Sequence, residues 1–216
     1  IISIAEMLKD QCIEKGENDE IPTRIIKEGD RIAEIAKNLL SFARDRKEEH
    51  SPTNIQDILS DSFGLVERQI IKDGIKLSTV VPSDLPQIKA RSREIQQVFL
   101  NIISNARYAL NKKFPGFHED KTLEIKGEIK GIEGKRNVRL TFSDHGVGIP
   151  ENIMDKICNP FFSTKPRGEG TGLGLSISHG IIKSHGGRLT FQSVPGEYAR
   201  VIIDLPVNNA REVKEE

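Results

Sequence analysis

The sequence predicts an α+β protein, an antiparallel helical hairpin followed by a compact domain of helices and a mixed sheet. Three observations carry that prediction. Over the first fifty residues, apolar side chains recur at helical spacing. From residue 54 to residue 205, helical stretches with one apolar face are interleaved with short alternating runs that read as strands. Two glycine-rich segments, 144–148 and 170–174, stand where one element gives way to the next.

The hairpin comes first. Ile1, Ala5, Leu8 and Cys12 share one helical face, the polar turn Gly16–Glu20 breaks the pattern, and Pro22 is expected to open the second helix. In that helix Ile25, Ile32 and Leu39 form one heptad track, Ala36 and Ala43 a second, and Ile35 and Phe42 a third. Three adjacent tracks make a stripe too wide for a two-stranded seam. It fits a four-helix bundle built from the hairpins of two chains, so a homodimer is expected. The far half of the second helix, from about Leu39 to Lys47, needs a partner upstream of Ile1. At about 1.5 Å per residue, that amounts to roughly ten residues of the first helix.

Glu48–Pro52 reads as a charged linker ending in proline. Asn54–Lys72 is helical through Ile55, Ile58, Leu59, Phe63, Val66 and Ile70, and Ile75–Val81 alternates as a strand, with a second short one at Ile88–Ala90. Glu94–Leu110 is a helix with Ile95, Val98, Phe99, Ile102, Ile103 and Ala106 facing inward. Strands follow at Leu123–Ile132 and Val138–Ser143, with Gly131–Asn137 as the polar tip between them. A helix from Gly172 to Ser184 and strands at Arg188–Val194 and Ala199–Leu205 complete the sheet. The expected organisation is residues 1–50 for the hairpin, 51–208 for the compact domain and 209–216 for a charged, mobile tail.

Composition excludes several classes of function. The 216 residues suffice for one good core plus an appended element. The 32 basic residues balance the 32 acidic ones, so no nucleic acid partner is expected. Cys12 and Cys158 stand far apart without metal-ligand spacing, which suits a reducing cytosol. No apolar run reaches the length of a membrane span and no signal peptide opens the chain. A cytoplasmic polypeptide is expected, or the cytosolic part of a membrane-bound protein, because the chain starts abruptly inside an apolar helical pattern.

Four motifs carry the chemistry. Asn101 and Asn105 lie one helical turn apart within the apolar run Gln97–Ala106, where polar amides need partners. Asp144-His145-Gly146-Val147-Gly148 ends a strand. Asn159-Pro160-Phe161-Phe162-Ser163-Thr164-Lys165 leads into the polar segment Ser163–Gly170. Gly170-Thr171-Gly172-Leu173-Gly174-Leu175 then enters a helix. Neither glycine run is a P-loop, since Leu175-Ser176 stands where Lys and Ser/Thr belong. Neither is a dinucleotide fingerprint, since Glu151 stands at the third glycine position. An aspartate before glycines also serves ordinary turns, and paired aromatics beside a proline also serve packing.

Together and in this order, the four motifs resemble the N, G1, F and G2 boxes of the sensor histidine kinases, whose ATPase superfamily includes gyrase and the MutL-type and heat-shock chaperone ATPases. The resemblance runs from Thr53 to Leu205, and the hairpin more weakly resembles the dimerisation domain of the same family. It implies the Bergerat or GHKL fold, a two-layer sandwich of a mixed sheet with helices on one face. It also implies Mg²⁺-ATP as cofactor, γ-phosphoryl transfer to a histidine on the dimerisation helix, and relay to an aspartate of a response-regulator receiver domain.

By that resemblance Asn105 ligates Mg²⁺ through its side-chain oxygen, and Asn101 belongs to the phosphate and metal shell. Asp144 accepts the adenine amino group, Gly146 and Gly148 let the backbone approach the ring, and Val147 and Ile149 line the apolar side. Phe162 is counted among the nucleotide-binding residues. Lys165, on a lid, reaches the β- or γ-phosphate; Arg167 either shares that task or is simply solvated. Gly170, Thr171, Gly172, Leu173 and Gly174 hold the triphosphate through backbone N–H groups at a helix start.

The chain departs from the family pattern at two places. Tyr108 replaces the basic residue three positions after the metal asparagine, leaving Arg107 or Lys112 as substitutes, and Tyr198-Ala199 replaces a Gly-Thr pair. None of the five histidines looks like a phosphoacceptor; His50 falls on the linker with no acidic residue after it. The chain is therefore expected to bind ATP without phosphorylating itself. Two alternatives remain, a hydrolysing ATPase and a nucleotide-sensing dimer. Against hydrolysis, Asn101 stands where hydrolytic relatives carry a glutamate base, and an amide cannot take a proton at neutral pH.

Overall fold

The computed structural model describes residues 1–44, 49–166 and 170–207, apart from the side chains of residue 31 and residues 34–44. The expected mobile tail, Arg167, Lys47 and the side chains of Ile35, Ala36, Leu39, Phe42 and Ala43 lie outside the described residues. The chain divides into two compact units, Ile1–Lys47 with Pro160–Leu173, and Glu48–Asn159 with Gly174–Glu216.

The first unit contains the hairpin, α1 (Ile2–Lys15) and α2 (Glu20–Arg44). Gly16 ends α1 in the left-handed region at φ 68°, its N–H turned back to the carbonyls of Cys12 and Ile13. The second helix opens two residues before Pro22, because the Asn18 side chain accepts the Glu20 N–H at 2.8 Å. Pro22 falls in the first turn, where its missing N–H costs nothing. A Cβ on Gly29 would lie 2.6 Å from Cγ1 of Ile2, so the two helices meet closely there. Ala5 is buried, whereas Ile4, Met7, Ile13, Ile21 and Ile32 are exposed in the single chain.

The second unit is a mixed five-stranded sheet with helices packed on it. Its elements are β1 (Ser51–Thr53), α3 (Ile55–Lys72), β2 (Lys76–Val80), β3 (Ile88–Ala90), α4 (Ser92–Lys113), β4 (Thr122–Ile132), β5 (Lys135–Asp144), a 3₁₀ turn (Glu151–Lys156), α5 (Gly174–Ser184), β6 (Arg188–Val194) and β7 (Tyr198–Pro206). The strand order is β2-β4-β5-β7-β6, parallel between β2 and β4 and antiparallel elsewhere. Asn54 caps α3 by accepting the Gln56 N–H at 2.9 Å. All six apolar positions expected to face inward on α4 are buried, and Phe99 meets Phe142 of β5 with ring centroids 5.4 Å apart. Fully burying such a side chain contributes about 1.5–3 kcal/mol.

Three boundaries differ from expectation. The tip between β4 and β5 is the two-residue turn Glu133-Gly134, with φ of 51° and 76°. That left-handed pair matches strand twist and lets pairing run through residues read as loop. Ser51–Thr53, read partly as linker, pairs with Ile88–Ala90 in a separate two-stranded sheet outside the main one. The last helix starts at Gly174, so Gly172 lies ahead of it.

His50 and His185 supply a contact that the linker reading missed. Their rings stack at 4.6 Å, and buried His185 accepts the Arg91 N–H on Nε2 at 3.0 Å. Its Nδ1 lies 2.8 Å from the Ile181 carbonyl, which puts the ring proton on Nδ1. His185 thus joins the start of α4 to the end of α5, and His50 lies against that joint.

Candidate functional site

Asp144 is the last rung of an apolar ladder. Successive residues of β5 alternate faces, so Val138, Leu140, Phe142 and Asp144 all point to the core side, and all four are buried. A carboxylate in that place loses hydration. Burial raises the Asp144 pKa to about 6, against the opposing pull of the Gly146 N–H and the Lys113 charge. Its Oδ1 accepts the Gly146 N–H at 3.0 Å.

The glycines of this turn are held by close neighbours. A Cβ on Gly146 would lie 2.6 Å from the Asp144 carboxylate and 2.7 Å from Ala109 of α4. Gly148 has a φ of 66°, and a Cβ there would stand 2.4 Å from the Val194 carbonyl. The end of β6 and the loop that follows it grip the same turn. Gly196 N–H donates to Val147 O at 2.8 Å, and Ser193 Oγ accepts the Ile149 N–H at 2.7 Å while donating to Tyr198 O at 2.6 Å. Lys113 Nζ, from the last turn of α4, donates to His145 O at 2.9 Å and to Glu197 O at 3.2 Å. Ala199, the departure from the family pattern, is buried and pairs directly with Asp144.

The asparagine helix meets the start of α5. Asn101 Nδ2 donates to Gly174 O at 3.1 Å and to buried Ser178 Oγ at 3.2 Å. Gly174 lies against this amide, its Cβ position 3.6 Å from the amide carbon. Asn105, one turn on, is half-buried. Arg107 points elsewhere: its guanidinium is taken up by Asp73 at 2.6 and 2.9 Å and by Gln69 at 2.9 Å, all on the α3 side. It therefore does not stand in for the basic residue that Tyr108 replaces.

The Pro160–Leu173 segment belongs to the other unit. Phe161 is exposed with a φ of 66°, and a Cβ on Gly172 would fall 2.5 Å from the Phe161 carbonyl carbon, so the two ends of the segment pack back to back. Ser163 Oγ accepts the Lys165 N–H at 3.1 Å, and the Cβ position of Gly170 lies 3.0 Å from the Lys165 side chain. Thr171 and Leu173 are buried, with the Leu173 N–H donated to Thr171 Oγ1 at 3.4 Å.

Among the predicted residues, then, the structure joins Asp144 to Gly146, Asn101 to Gly174, and Lys165 to Gly170. Sequence reasoning missed Lys113, Ser193 and Gly196. Their partners are distant in sequence, 32 and 84 residues away for Lys113, and no local pattern marks them.

A buried aspartate ending a core strand, with a glycine turn pressed to an asparagine-bearing helix, defines an ATP-binding domain of the histidine-kinase type. The chain belongs to the histidine kinase-, DNA gyrase B-, and HSP90-like ATPase family, whose model matches residues 90–209. Within that family it stands with the sensor histidine kinases. It is 29% identical over 207 residues to the sensor histidine kinase ZraS of Salmonella typhimurium, covering 96% of this chain and 42% of that protein. It is also 29% identical over 184 residues to the signal transduction histidine-protein kinase AtoS of Escherichia coli, covering 85% of this chain and 28% of that one. The chain spans less than half the length of these relatives. The catalytic domain of histidine kinase ThkA superposes with a TM-score of 0.61 at 28% identity, covering 74% of this chain and 97% of that domain. The Acinetobacter baumannii histidine kinase AdeS shares the fold, with a TM-score of 0.66 at 19% identity over 96% of this chain and 95% of that one. No helix among the described residues is long and apolar enough to cross a membrane.

Proposed function

We propose that this chain is the kinase core of a two-component sensor, which binds Mg²⁺-ATP and transfers the γ-phosphoryl group to a histidine on a dimerisation helix. The buried Asp144 carries the proposal. Burial raises its carboxyl to about 6, which leaves it mostly ionised at neutral pH, a buried acceptor suited to the amino group of a purine. Residues 51–208 form the nucleotide-binding part and residues 1–50 the dimerisation part, whose exposed isoleucines and Met7 suit a partner hairpin.

Asn105 would hold Mg²⁺ through its amide oxygen, a hard donor of the kind this cation takes. The metal neutralises charge on the phosphates when bound. Lys165 offsets charge that develops on the transferred group, and the backbone from Gly170 to Gly174 holds the phosphates. Asn101 belongs to the phosphate and metal shell, and its bonds to Gly174 and Ser178 set the start of α5 against α4. An amide committed in this way does not activate water, which favours transfer over hydrolysis. His50 and His185 are engaged with each other and the first 47 residues contain no histidine, so the chain alone does not label itself. In the complete sensor, the phosphoryl group passes to an aspartate of a response regulator.

Titration calorimetry with Mg²⁺-ATP tests the site. Asp144→Asn is expected to weaken binding at least about tenfold, the worth of a charge-assisted hydrogen bond in a dry pocket. Unchanged affinity would remove Asp144 from the adenine pocket.

A further inference from the structure

We infer that Lys113 is a positioning residue for the adenine pocket, tying the Asp144–Gly148 turn to the β6–β7 loop. The inference rests on the assignment of Asp144 to adenine. A lysine in the last turn of a helix commonly does no more than complement the helix dipole. Lys113 goes further. Its ammonium leaves α4 to bond carbonyls on two other elements, His145 O at 2.9 Å and Glu197 O at 3.2 Å. Its ammonium also lies over the Phe114 ring, Nζ 5.2 Å from the centroid, and the side chain is half-buried.

The geometry gives this one cation two effects. Mechanically, Lys113 holds the carbonyl of the His145–Gly146 peptide, whose N–H donates to Asp144 Oδ1, so the bond fixes the peptide that aims the carboxylate. Ser193 and Gly196 fix the far end of the same turn, at Ile149 and Val147. Electrostatically, Lys113 is the cation that opposes the effect of burial on Asp144. Other ionisable groups around the turn include the His145 imidazole, Glu124 of β4, whose carboxylate lies 3.7 Å from His145 Nε2, and Glu197 of the β6–β7 loop. The His145–Glu124 pair is half-exposed, and Glu124 brings negative charge, so neither replaces Lys113.

The test is the pH dependence of Mg²⁺-ATP affinity for the 216-residue chain, measured between about pH 5 and 8.5 to bracket the raised Asp144 pKa. The variants are Lys113→Met, Lys113→Arg and Asp144→Asn, with His145→Asn as a common background to remove the adjacent imidazole. The parent should lose affinity as pH falls through about 6, beyond the loss in Asp144→Asn, which carries the titration of ATP itself. Lys113→Met should bind about three- to tenfold more weakly at pH 8, with its acid limb moved to higher pH, and Lys113→Arg should restore both.

An unmoved acid limb in Lys113→Met, whether affinity is unchanged or uniformly reduced, overturns the inference. If Lys113→Met does not fold by thermal melt, Lys113→Gln is read by the same criteria. Failure of the underlying assignment looks different: Asp144→Asn would then bind as the parent does, with the same pH profile.

Discussion

Asp144 puts a charge where the strand's alternation calls for another Phe or Leu, and its proposed role at adenine sets it against the stability of its domain. Its folded-state pKa of about 6 lies above the ordinary 3.8. Stability from this group is therefore fully present below about pH 4 and lost as pH rises through about 6. The upward shift corresponds to a penalty of up to about 3 kcal/mol at neutral pH. Asp144→Asn should raise the melting temperature of the nucleotide-free chain at pH 8 by a few degrees and leave it nearly unchanged at pH 4, while weakening ATP binding. Equal melting at pH 8 would mean that the carboxylate is better solvated than its place on β5 implies. The sequence made this residue legible as a motif, and the Val138-Leu140-Phe142-Asp144 alternation also holds its burial. Lys113 was not legible, because nothing local says which carbonyls a helix-end lysine will reach.

The elements that aim Asp144 are β5 and its neighbour β7, whose register sets Arg139 opposite Asp204. Arg139 grips Asp204 with two bonds, of 2.7 and 2.9 Å, and Asp204 is buried. Removing one partner strands the other charge, so Arg139→Ala should destabilise the domain by about 3 kcal/mol in denaturant unfolding. Arg139→Met with Asp204→Leu should recover much of that loss. A loss within about 0.5 kcal/mol for Arg139→Ala would show the pair to be solvated. At this scale the sequence was informative wherever one period dominated, as in the apolar face of α4 and the capped start of α3. It was weaker where strand pairing decided the outcome. Glu133-Gly134 turns in two residues because pairing between β4 and β5 continues, and β1 forms because β3 lies beside it. The start of α5 moved to Gly174, with Gly172 packed on the Phe161 backbone instead of opening the helix.

For the whole molecule, the proposed kinase core assigns dimerisation to the hairpin and phosphoryl transfer to the nucleotide-binding domain. The exposed Ile4, Met7, Ile13, Ile21 and Ile32 predict that the chain sediments as a dimer, and Met7→Asp with Ile13→Asp should shift it toward monomer without loss of ATP affinity. A monomeric parent would contradict the bundle reading. The central claim is transfer, and its direct measurement mixes the chain and γ-labelled Mg²⁺-ATP with a separate dimerisation hairpin carrying an acceptor histidine. Acid-labile, base-stable label is expected on the hairpin, absent with Asp144→Asn and absent from the chain alone. Free phosphate without labelled protein, or ATP bound and left intact, would contradict that claim.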